Sequence, residues 1–173
     1  MKRLILMRHA KTESWTEGVD DHGRALTPLG HKAAAAMASA LATEGWVPEK
    51  AMVSSARRTR ETWGHLSVAF PYAEMVIEEN LYLAGERGIS EIISEHDGVE
   101  TLMVVGHNPG IHDLGLSQIR EAGSLDHQAA MRLAAKMPTG AAALFEAEES
   151  GAFLPLHFKL VNFLRPKDVM GED

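Results

Sequence analysis

Two short apolar runs, Leu4–Met7 and Thr101–Val105, each lead straight into a histidine: Arg8-His9 after the first, Gly106-His107-Asn108-Pro109-Gly110 after the second. Runs of four or five apolar residues are too short for a helix but fill a strand buried on both faces. In open α/β sheets the reactive side chains gather beyond the carboxyl ends of such strands. Both histidines stand at that position. Arg8 adds a permanently charged guanidinium beside an imidazole, a pairing suited to gripping and attacking a phosphoryl group. Gly106 and Asn108-Pro109-Gly110 frame His107 in turn-forming residues that let its side chain stand clear of the sheet edge.

The rest of the chain alternates strand-like and helix-like segments, which predicts an α/β fold with a mostly parallel central sheet and helices on both faces, a three-layer sandwich. Strands are expected at Leu4–Met7, Ala51–Ser54, Met75–Glu78, Thr101–Val105, Ala141–Glu146 and His157–Phe163, the last two forming a hairpin at one edge. The clearest helix runs from Pro28 to Glu44, with Thr27 as N-cap, Pro28 in the first helical position and Gly45 as the stop. Further helices are expected over Thr59–Phe70, Ile89–His96, Ile111–Ile119 and Asp126–Lys136. Residues 1–165 read as one domain, and Pro166–Asp173 as a polar tail that frays.

Composition narrows the function classes. With 24 acidic against 17 basic residues the net charge is −7, which argues against a nucleic-acid partner. The chain has no cysteine, so disulfides, thiolate metal sites and cysteine nucleophiles are excluded. No apolar run reaches membrane-spanning length, and the stretch after Lys2-Arg3 is too short for a signal peptide. A cytoplasmic protein with no membrane partner is the expectation, with no signal for a particular oligomeric state.

A third segment, Ser54-Ser55-Ala56-Arg57-Arg58-Thr59-Arg60-Glu61-Thr62, follows the second strand and opens a helix. Free N–H groups and the positive helix end favour an anion there, whereas three arginines oppose the helix dipole unless something anionic lies nearby. The dinucleotide and P-loop glycine motifs are absent, as is H-E-x-x-H. Asp20-Asp21-His22 is the one run that could hold a metal in isolation.

Taken together, these segments resemble the histidine phosphatase superfamily, also called the phosphoglycerate mutase-like family. Leu6-Met7-Arg8-His9-Ala10 looks like its R-H-[GA] signature, and Ser54–Thr62 like its S-x-x-x-R-[AT]-x-[QE]-T segment. Gly106-His107-Asn108 looks like its second-histidine segment. Asp21–Gly30 resembles the D-x-x-R-x-L-T-x-x-G run that leads into the long helix. With Leu81–Gly85 and Met137-Pro138-Thr139-Gly140, that run points to the small SixA-like branch of phosphohistidine phosphatases.

The resemblance implies that His9 is the nucleophile and that Arg8, Arg58 and His107 hold the phosphoryl oxygens, without a metal or other cofactor. It also exposes a departure. Larger relatives carry an L-x-E segment whose glutamate protonates the leaving oxygen, but here the stretch reads Leu81-Tyr82-Leu83, and Asn108 stands where another branch has aspartate. Glu79, Glu86 and Asp113 remain as alternative acids. Alkoxides leave poorly unless protonated, whereas imidazole, with a pKa near ~6.5, leaves with much less help. The expected activity is therefore a metal-independent phosphatase acting through a phosphohistidine intermediate, on phosphohistidine in a partner protein. The alternatives are a phosphatase of a small phosphorylated substrate and a non-catalytic phosphate-binding adaptor.

Overall fold

A central strand buried on both faces organises the chain. In the computed structural model, which describes residues 1–171, strand β1 (Arg3–Arg8) carries four fully buried apolar side chains that alternate between two cores. Leu4 and Leu6 pack with Ile89, Ile93, Leu114 and Leu133, while Ile5 and Met7 pack with Met37, Leu41, Trp63 and Leu66. Only a strand covered by helices on both sides can be apolar at every position, so the run that predicts the strand also requires three layers.

The remaining strands are β2 (Lys50–Ser54), β3 (Glu74–Glu78), β4 (Thr101–Gly106), β5 (Ala142–Glu146) and β6 (Lys159–Leu164). They form one sheet in the order β3-β2-β4-β1-β5-β6. Strands β3, β2, β4 and β1 are mutually parallel, and β5 runs antiparallel to both β1 and β6. Helices α1 (Pro28–Thr43) and α2 (Arg57–Ala69) cover the Ile5 face. Helices α3 (Glu86–Glu95), α4 (Gly110–Ala122) and α5 (His127–Ala135) cover the Leu4 face. This is the expected three-layer α/β sandwich. The chain leaves β1 toward one face and β4 toward the other, so a topological switch point opens between these neighbours.

Local chemistry accounts for the helix ends. The Thr27 hydroxyl accepts from the Gly30 amide at 2.9 Å, and Pro28 occupies the first turn. Helix α1 buries Ala33, Met37 and Leu41 along one stripe with Ala34 and Ala38 beside it, and stops where Gly45 takes φ +76°. Two expectations need correction. His157 belongs to a short 3-10 turn, Pro155–His157, and the last strand begins only at Lys159. The start of the expected tail is helical. Pro166 opens helix α6 (Pro166–Met170), with Asp168 accepting from the Arg165 backbone at 3.2 Å and from its guanidinium at 2.7 Å, and Val169 packs against the Ile5-side core. Residues 172 and 173 of the expected tail lie outside the described residues. Among the described residues no helix is long and apolar enough to cross a membrane.

The start of α1 is pressed against the chain leaving β1: a Cβ added at Gly30 would lie 2.1 Å from the Lys11 carbonyl oxygen, which already accepts from the Thr27 amide. Backbone cannot yield as a side-chain end can. Gly30→Ala should therefore destabilise the protein by ~1–3 kcal/mol, the usual cost of overpacking, read as a lower urea midpoint. An unchanged midpoint would mean that this contact is loose.

Candidate active site

The parallel register of β1 and β4 pairs Arg8 with Gly106, so the residues that follow, His9 and His107, emerge side by side at the carboxyl edge. The His9 amide donates to the Gly106 carbonyl at 3.1 Å, and the two imidazole centroids stand 5.3 Å apart. Both rings are buried. His9 Nδ1 lies 2.7 Å from the Ala10 carbonyl oxygen. A carbonyl can only accept, so Nδ1 carries the proton and Nε2 keeps its lone pair. The Ala10 carbonyl is thus the acceptor that sets the His9 tautomer.

Helix α2 brings one of its three arginines inward. Arg58 is only 4% exposed, and its guanidinium donates to the Asp21 backbone oxygen at 2.7 Å and to the Asp21 carboxylate at 3.1 Å. Arg57 and Arg60 are exposed, and Arg57 donates to Glu61 at 2.7 Å. From β1, Arg8 donates to the Met137 carbonyl at 3.1 Å and keeps a buried Nε without a protein partner. The same carbonyl accepts from the Asn108 amide at 3.0 Å, and the Gly140 amide donates to the His9 carbonyl at 2.8 Å. The Met137–Gly140 run thus braces both histidine-bearing turns. All four predicted residues, Arg8, His9, Arg58 and His107, come together.

Other residues of the site lie within the segments quoted for the family resemblance but were assigned no role from the sequence. Ser54, at the end of β2, sits 2.7 Å from His107 Nε2, which leaves His107 Nδ1 buried and unpartnered. The Thr62 hydroxyl accepts from the Ala10 amide at 3.0 Å and donates to the Arg58 carbonyl at 2.7 Å. Tyr82 sets its ring edge-on to His107 and donates its hydroxyl to Asp21 at 2.5 Å. Apart from the Thr62–Arg58 bond within α2, these contacts join residues dozens of positions apart, so periodicity could not reveal them.

Asp20-Asp21-His22 splits three ways. Asp20 caps the Gly23 amide, Asp21 faces Arg24, Arg58 and Tyr82, and His22 meets Ser55 at 2.9 Å. A carboxylate occupied by two guanidiniums and a phenol is a poor metal ligand. Of the alternative acids, Glu79 and Asp113 are exposed, and among the described residues no side chain of Glu79, Glu86 or Asp113 hydrogen-bonds to the cluster. Leu83, in the acid's usual place, is solvent-exposed with φ +54°.

Electrostatics keep both histidines neutral. Burial, reinforced by Arg58 and Arg8, lowers the His9 pKa to about 4, against a raising contribution from the Ala10 hydrogen bond. Burial and then Arg58 lower His107 to about 3. The Asp21 carboxyl is held well below the carboxylate range, first by the Tyr82 hydrogen bond and then by Arg24 and Arg58, so it stays ionised. Tyr82 is correspondingly raised by Asp21 and stays protonated. A neutral ring nitrogen ringed by two guanidiniums can receive a tetrahedral oxyanion and attack its centre.

Acid should therefore unfold the protein through these rings. Between pH ~6.5 and ~4 an unfolded histidine binds a proton that the folded one refuses, so stability falls on acidification by up to ~1.4 kcal/mol per pH unit per ring. It levels off above that window. His107→Gln should flatten the fall when urea midpoints are compared at pH 7.5, 6 and 5, above the range where carboxylates titrate. An unaltered slope would show that His107 is protonated in the folded state.

Comparison with known proteins bears on the family and the fold. The family model of the histidine phosphatase superfamily (branch 1) matches residues 4–82. An uncharacterized protein of Mycobacterium leprae is 32% identical over 166 residues, covering 93% of this chain and 100% of the relative. An uncharacterized chloroplast protein of Arabidopsis thaliana is 35% identical over 121 residues, and the match spans only 55% of its length. Among solved structures, a SixA protein of Agrobacterium tumefaciens superposes with a TM-score of 0.81 at 26% identity, over 95% of this chain and 98% of that one. The chain belongs to the histidine phosphatase superfamily, with a SixA-like fold.

Proposed function

We propose that the protein is a phosphatase that passes the phosphoryl group through His9 and that its substrate is phosphohistidine on another protein. The observation that carries the reading is the convergence of a neutral His9, its Nδ1 fixed on Ala10, with Arg8, Arg58 and His107. Such a set needs no metal to balance the charge on three phosphoryl oxygens. The SixA structures that the chain resembles bear the phosphohistidine phosphatase designation in their names, which supports the same class.

His9 Nε2 attacks phosphorus in line, and the bond from phosphorus to the substrate imidazole breaks. That imidazole takes a proton from solvent as it departs. Arg8 and Arg58 offer planar paired donors to the oxygens, and a His107 that accepts from Ser54 at Nε2 can donate from Nδ1. Water then attacks phosphorus, releasing phosphate and restoring neutral His9. The substrate preference follows from the missing acid. Asp21 is the carboxylate hydrogen-bonded to Arg58, and an ionised Asp21 cannot protonate an alkoxide.

Rapid, acid-free quenching with a phosphodonor followed by mass spectrometry should find the phosphoryl group on His9. Label on His107 with His9 clean would overturn the assignment. Across a series of phosphorylated compounds the rate should rise steeply as leaving-group pKa falls: phosphohistidine and activated aryl phosphates cleaved well, phosphoserine and sugar phosphates poorly. Comparable kcat/KM on an alkyl phosphate would reveal a proton donor and favour the small-metabolite reading instead.

A further inference from the structure

Beside the His9 site a basic groove of about 530 Å³ runs between α5 and the β6–α6 junction, lined by Arg132, Lys136, Pro138, Arg165, Lys167 and the exposed Met131. We infer that this groove docks an acidic, partly apolar segment of the protein whose phosphohistidine enters the site. The inference rests on the functional reading above and extends it to how the partner is chosen.

Topology puts the groove next to the chemistry. Met7 pairs with Ala142, and Ala142 with Leu164, so the start of β5 and the end of β6 lie at the sheet edge where β1 delivers His9. Lys136 and Pro138 flank Met137, whose carbonyl holds Arg8 and Asn108. Pro166, between Arg165 and Lys167, lies so close to Gly140 that a Cβ there would come within 2.9 Å of its ring. A segment seated in the groove therefore runs toward the turn that braces the two histidines.

The charge is unusual for this molecule. The whole chain carries a net −7, yet four cations line this one groove. Asp168 engages Arg165 at 2.7 Å. Among the described residues, Arg132, Lys136 and Lys167 have no carboxylate within ion-pair distance, and Arg132 Nε is buried without a partner. Lys136 and Lys167 are exposed and project charge without holding the fold together. Met131, 58% exposed, and Pro138 add apolar surface between the charges. Alternating carboxylates and apolar side chains match that lining better than a uniform polyphosphate backbone does, and the negative net charge opposes nucleic acid. Clustered cations at the rim of a site act mainly on encounter and on KM, and they are screened by salt.

The double charge reversal Lys136→Glu/Lys167→Glu tests the groove, with circular dichroism and the urea midpoint confirming the fold and Lys136→Gln/Lys167→Gln as a milder pair. A fluorescein-labelled 12-residue peptide of Asp, Glu and Leu should bind the wild-type protein at low salt and bind the reversed variant about tenfold more weakly by anisotropy. On an acid-flanked protein phosphorylated at histidine with phosphoramidate, the variant should show a KM about tenfold higher, with kcat and the turnover of p-nitrophenyl phosphate unchanged. No peptide binding by wild type, equal binding by the variant, or tighter binding of a 12-nucleotide single strand would overturn the inference. Peptide binding lost in the variant, together with no hydrolysis of any phosphohistidine by wild type, would uphold the groove and sink the substrate reading.

Discussion

The parallel pairing of β1 with β4 is the constraint from which the site follows. Because side chains alternate along a strand, a slip of one residue would turn Leu4 and Leu6 into the core that now holds Ile5 and Met7, and would move His9 away from His107. Burial on both faces makes such a slip costly. The core therefore fixes the register, and the register fixes the 5.3 Å separation of the two rings. Packing energy far from the site does the work of positioning it.

Charge is arranged around those rings with the same economy. Two guanidiniums and two imidazoles in one buried cluster would repel one another if all were protonated, and the histidines yield because burial already opposes their charge. Asp21 balances Arg58 from the outer side, and Tyr82 holds Asp21 in turn. Arg58 is thereby oriented in advance, so an anion bound beside it would require little reorganisation of that guanidinium.

The strands, the helices and the two histidines that follow strands were legible from local signals, whereas Arg58 was singled out from its neighbouring arginines only by the family resemblance. Apolar runs, the Thr27 cap with Pro28, and histidines after strands are read over a few residues. Strand and helix limits shifted by up to three residues where tertiary bonds decide them, as at α2, which begins at Arg57 rather than Thr59. The short helix after Pro166 was missed because it depends on Asp168 reaching back to Arg165 and on Val169 finding the core. The partner of His107, the brace at Met137 and the Tyr82–Asp21 pair join residues separated by 29 to 129 positions. Contacts of that span leave no pattern along the chain, only in space.

Thr62 ties the two halves of the site through one oxygen. Its hydroxyl takes the amide next to His9 and gives its proton to the carbonyl of Arg58. Without it, a shift of α2 against the sheet would vary the gap between the His9 imidazole and the Arg58 guanidinium. Through this one oxygen the chain leaving β1 is tied directly to α2, and the tie restrains the interval between the two groups.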